Sequence, residues 1–148
     1  MRWKKILPVL LLCAGLLCYL WWLRTPPVAQ VFRSAAEEIE DAAFLLLTED
    51  TPPGNLPWIK LTPQERTEFT ALLPSISVGR YGFWQESRPS PGPDLVRFRL
   101  SLEGGEVLSF DFYPGGRYIV LSETQERFHV PDADRLYEAV QNIYASHT

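Results

Sequence analysis

Val96-Arg97-Phe98-Arg99-Leu100-Ser101-Leu102, then Glu103-Gly104-Gly105-Glu106, then Val107-Leu108-Ser109-Phe110-Asp111-Phe112-Tyr113, is two alternating runs joined by a glycine pair. Alternation of period two is the mark of a strand with one buried face, so this stretch predicts an antiparallel hairpin. The glycines invite a two-residue turn, because both central positions of such a turn take positive φ. That turn fails on register. It sets Phe98 across from Asp111 and mixes the faces. A three-residue loop, Glu103 to Gly105, instead sets Val96 opposite Phe112, Phe98 opposite Phe110 and Leu100 opposite Leu108. One face is then wholly apolar, and Arg97 meets Asp111 on the other. A slip of one residue exchanges the two faces, so the longer loop is the predicted one.

Outward from the hairpin, Pro114-Gly115-Gly116 predicts a second turn into Arg117–Leu121, followed by a short strand over Arg127–Val130. Ser77–Trp84 is the expected first strand of the same sheet, joined through the proline-rich stretch Arg88–Pro93. A last helix starts near Asp132, with Leu136, Val140 and Ile143 on one face. Before the sheet, Thr62-Pro63-Gln64-Glu65 reads as a helix start with Thr62 as N-cap, Pro63 in the first turn and Glu65 completing a capping box. Phe69, Leu72 and Leu73 give that helix its apolar stripe, and Pro74 closes it. Further upstream, a short helix near Val31–Ile39 and a strand near Ala42–Thr48 are expected, then a loop over Glu49–Pro57. The fold class is α+β: an antiparallel meander of four or five strands flanked by two helices, at least one packed on its apolar face.

The N-terminus carries a different signal. Ile6–Leu23 is an apolar run of 18 residues without a charge. As a helix it reaches about 27 Å, close to the thickness of a bilayer's hydrocarbon core. Arg2, Lys4 and Lys5 precede it and Arg24 comes directly after, while Trp3, Trp21 and Trp22 stand at its two ends. The positive-inside rule then keeps residues 1–5 in the cytoplasm and exports the chain beyond Arg24. A cleaved signal sequence has the same charge pattern. Its apolar core is shorter, however, and Pro27-Val28-Ala29 and Arg33-Ser34-Ala35 are poor cleavage sites. The expected organisation is a cytoplasmic stub over 1–5, a single-pass membrane anchor over 6–23, a linker over 24–30 and one extracytoplasmic domain over 31–148.

Charge divides the same way. All 18 acidic residues lie beyond Arg24, against ten of the 14 basic ones, so the outer part carries about −8. Phosphate backbones repel such a domain, which argues against nucleic acid as a partner. Both cysteines, Cys13 and Cys18, lie in the apolar run, which leaves the outer domain no disulfide and no thiolate.

Chemistry is sparse. The two histidines, His129 and His147, have no partner at metal-ligand spacing, and neither a nucleophile elbow nor a calcium loop is present. The glycine pairs sit between strands, where turns explain them, and no helix comes after them to cradle a phosphate. No cofactor, metal or catalytic residue is therefore assigned. Aromatic side chains are the remaining candidates: Tyr81, Trp84 and Tyr113 on the sheet could contact a ligand or a partner. The expected function is a membrane-tethered binding or accessory module rather than an enzyme. Its partner would be another envelope protein or a cell-wall polymer. The alternatives are a small envelope enzyme using His129 with a carboxylate, or an accessory subunit that contacts another membrane protein.

The anchor, the capped helix at Lys60-Leu61-Thr62-Pro63-Gln64-Glu65 and the turn Tyr113-Pro114-Gly115-Gly116-Arg117-Tyr118 before a final helix together resemble certain small bacterial extracytoplasmic domains. Those domains are known mainly from Gram-positive genomes and have no assigned function. The resemblance spans Ile59 to Ile143 and implies the topology only.

Overall fold

The computed structural model describes residues 2–23, 26–52, 54, 56–81 and 90–148. Five α-helices and six strands succeed one another as α1 (Trp3–Leu23), α2 (Pro27–Arg33), α3 (Ala35–Glu38), β1 (Ile39–Leu47), β2 (Ile59–Lys60), α4 (Pro63–Leu72), β3 (Leu95–Leu102), β4 (Val107–Tyr113), β5 (Tyr118–Leu121), β6 (Arg127–His129) and α5 (Ala133–Ser146). All strands join one antiparallel sheet in the order β2-β1-β3-β4-β5-β6. The fold is α+β, with six strands where four or five were expected.

The hairpin has the register its sequence predicts. Val96 pairs with Phe112, Phe98 with Phe110 and Leu100 with Leu108. Gly104 and Gly105 take φ of +90° and +88°, which a side chain would resist, and Leu102 N–H donates to Glu106 at 2.7 Å to close the loop. The capping box of α4 is also formed: Thr62 N–H donates to Glu65 Oε2 at 2.8 Å, and Glu65 N–H donates to Thr62 Oγ1 at 3.3 Å.

Three expectations need correction. The place beside β3 belongs to β1, not to Ser77–Trp84. Ser77–Tyr81 makes a single bridge, Gly79 to His129, at the far edge of β6, and Gly82–Trp84 lies outside the described residues. The physical reason is the run Ala42–Leu47, apolar on both sides of the pleat, which suits an interior strand. That strand begins at Ile39, three residues earlier than predicted. A bulge between Ile39 and Asp41 buries Ile39 while leaving Glu40 exposed. Second, Ile59–Lys60 is a strand inside what read as irregular chain. It is short because the next hydrogen-bonded pair in its register would set Pro57 opposite Leu46, and proline has no N–H to give. Third, residues 24–30 are not all linker. Pro27 opens α2, Val28 is fully buried and Ala29 nearly so, so the single helix expected over 31–39 is two short ones broken at Ser34.

Helices cover one face of the sheet. Phe98 is the hub of that core, with ring centroids at 5.0 Å to Phe110, 5.7 Å to Phe69 of α4, 6.1 Å to Phe44 and 6.5 Å to Phe112. Phe32 brings α2 against Phe110 at 5.9 Å, while Leu136 and Val140 of α5 have no exposed surface. Tyr137 of α5 donates to Asp94 Oδ2 at 2.6 Å, tying the helix to the chain entering β3.

The helix α1 is different in kind. Its 21 residues make a rod about 31 Å long, and the stretch Trp3–Trp21 has a mean hydropathy of 1.7 with none of it buried against the domain. One N-terminal helix is thus long and apolar enough to cross a membrane.

Candidate functional site

The register assigns every strand residue to a face. Inward lie Phe44, Val96, Phe98, Leu100, Phe110, Phe112, Ile119 and Phe128, all buried. Outward residues form rows across the strands, and among the described residues no helix covers them. The row farthest from the β3–β4 turn runs Leu47, Leu95, Tyr113, Tyr118, His129. The next runs Leu45, Arg97, Asp111, Val120, Arg127, and below it come Lys60, Ala43, Arg99 and Ser109. With the exception of Tyr118, these side chains are half-buried or exposed.

Among the described residues, four cations therefore share this face with two carboxylates, Asp41 and Asp111. Both carboxylates are paired. Lys60 Nζ lies 3.0 Å from Asp41 Oδ2, and Arg97 makes a bidentate contact with Asp111, at 2.8 Å through Nε and 3.1 Å through Nη2. The hydrogen bond and charge of Asp111 raise the Arg97 pKa further, so the guanidinium stays protonated. Arg99 and Arg127 meet rings instead. Arg99 sits 4.7 Å over Trp58, and Arg127 lies 5.4 Å from the Tyr118 ring centroid. Cation–π contacts hold the guanidiniums in place without neutralising them. A domain that is acidic overall thus presents one face with a local excess of two positive charges.

Two of the three aromatic candidates lie here. Tyr113 stacks on Tyr118 at 4.7 Å, and Tyr81, two residues beyond the Gly79–His129 bridge, lies against the His129 ring at 5.6 Å. Burial raises the Tyr118 pKa, with the Arg127 charge opposing it. Gly116 makes that packing possible, because a Cβ there would lie 2.4 Å from Tyr118 Cε1. Trp84, the third candidate, lies outside the described residues. Sequence reasoning missed Trp58, Arg99 and Arg127. Alternation placed Arg99 opposite the apolar face, but nothing local says which face of a sheet the helices leave bare. Trp58 comes after a proline in a loop that carries no strand signal.

His129 is in this row, but its ring neighbour is Tyr81, and no carboxylate contacts it among the described residues. His147 is elsewhere. Its Nε2 lies 2.9 and 3.0 Å from the oxygens of Glu65, and Ser146 Oγ donates to Glu65 Oε1 at 2.7 Å, clasping the end of α5 to the start of α4. Desolvation raises the Glu65 pKa, yet the bonds from His147, Thr62 N–H and Ser146, together with the His147 charge, outweigh it and lower the value to about 2. Among the described residues no group of three or more metal-ligating side chains converges. The described concave surfaces meet the open face at its rims, at Leu45 and at Ser109. One apolar groove of about 370 Å³ runs between β1, the chain after it and the last turn of α5, lined by Leu46, Leu56, Pro57 and Tyr144. A hollow of about 430 Å³ lies beside Pro27, against the ends of β4 and β5.

No protein-family model, no curated protein and no solved structure matches the chain. The likeness to small extracytoplasmic domains therefore rests on its residues alone.

Proposed function

We propose that this protein is a membrane-tethered, extracytoplasmic binding module whose docking surface is the open face of the sheet. The observation that carries this reading is a six-stranded sheet with helices packed on one face and, among the described residues, guanidiniums and aromatic rings without a covering helix on the other. The tether is α1, with Arg2, Lys4 and Lys5 holding its start in the cytoplasm. Its junction with the domain is short. Only Arg24 and Thr25 separate Leu23 from the buried Pro26, a reach of about 11 Å at most. The domain then sits at the membrane surface, where it can engage a component of the envelope.

Two measurements on the full-length chain test this. Thr148→Cys should react with a membrane-impermeant maleimide in intact cells, and the protein should stay with membranes at alkaline pH. Labelling that needs lysis, or release by alkali, would remove the tether. Arg99→Glu or Tyr113→Ala should lower recovery of envelope components from a detergent extract, whereas Glu138→Lys on α5 should not. Equal recovery by all variants would remove the open face as the docking surface.

A further inference from the structure

Resting on the tethered-module reading, we propose that the open face docks an acidic protein surface held in the same membrane. Charge is the first argument. The face carries Lys60, Arg97, Arg99 and Arg127 against Asp41 and Asp111, an excess of two, while the rest of the outer domain is then near −10. Arg99 and Arg127 contact rings rather than carboxylates among the described residues, so their bidentate donors remain available to a carboxylate from outside.

Shape is the second. Six strands at about 4.8 Å spacing, β3 having eight residues, give a footprint on the order of 500 Å² before side-chain relief is counted. A standard protein interface takes about 800 Å² a side, so the face is of protein size. It is also flat. The described hollows lie at its edges or among the helices, whereas a sugar chain or small ligand needs a groove.

Tethering is the third. Pro26 comes three residues after Leu23, so the domain is held within about 11 Å of the anchor's end. A neighbour confined to the same membrane meets the domain at high effective concentration.

The test uses the full chain in nanodiscs of phosphatidylcholine with fluorescent poly-L-glutamate as the probe. Binding is expected at low salt, weakening steeply as ionic strength passes physiological values. Arg99→Gln with Arg127→Gln should lower affinity about tenfold. Arg99→Lys with Arg127→Lys should keep most of it, and Arg33→Gln with Arg135→Gln on the helices should change it less than twofold. The proposal is overturned by any of four results: no binding at low salt, equal loss in both glutamine pairs, preference for alginate or for anionic vesicles, or assembly of the chain with itself through this face. Maleimide labelling reports separately on the tether, so a failure here with labelling intact removes the acidic partner alone.

Discussion

Phe98→Ala is the sharpest test of a sheet with one covered face. The ring is 1% exposed and has four phenylalanine neighbours within 6.5 Å of its centroid, three from the adjacent strands β1 and β4 and one from α4. Truncating a buried phenylalanine to alanine costs about 3–5 kcal/mol, from lost transfer energy and from the cavity left behind. Each ring pair adds about 0.5–1.5 kcal/mol beyond its buried area, which puts this position at the upper end. A domain of this size has roughly 6–18 kcal/mol of total stability, so the variant loses a large share of it. Its neighbour Arg97 points the other way, and its side chain is 47% exposed in an ion pair with Asp111. Removing that pair costs about 1 kcal/mol at most. The assay is urea unfolding of the full chain in neutral micelles, monitored by near-ultraviolet circular dichroism. With a slope of about 2 kcal/mol per M, Phe98→Ala should lower the midpoint by about 2 M and Arg97→Ala by about 0.5 M or less. Comparable losses at the two positions would refute the assignment of faces.

Two other substitutions have defined outcomes. Gly116→Ala drives a methyl to 2.4 Å from the Tyr118 ring and 2.7 Å from the Ser90 carbonyl, so a loss of about 1–3 kcal/mol is expected in the same unfolding assay. An unchanged midpoint would mean that the Tyr113–Tyr118 stack is loose. Glu65 has its pKa lowered to about 2 from 4.5, so its contribution is complete above pH 4.5 and is lost as pH falls toward 2. Its clasp lies near the surface, where screening reduces the effect to about 1 kcal/mol. Glu65→Gln should remove that part of the acid-induced loss of stability, and a slope identical to wild type between pH 4.5 and 2 would count against the clasp.

Much of the fold is legible in local pattern, because strands and helices impose periods of two and 3.6 on their buried residues. The hairpin register comes from requiring Val96, Phe98 and Leu100 to face Phe112, Phe110 and Leu108. The cap of α4 comes from Thr62 and Glu65 three residues apart, and the apolar helix α1 from an uncharged run. Each of these is decided by neighbours in sequence. What lay beyond reach is decided by contacts between distant segments. Ala42–Leu47 and Ser77–Trp84 both read as strands, and only competition for the edge of β3 seats the first there and leaves Gly79 as a lone bridge on β6. The choice of covered face is likewise tertiary. Phe69, Phe32 and Leu136 come from three separate helices, and by converging on Phe98 and its neighbours they leave Arg97, Arg99 and Arg127 exposed on the other face, with Tyr113 half-buried beside them. The candidate site is the remainder of that packing, so no stretch of the sequence contains it.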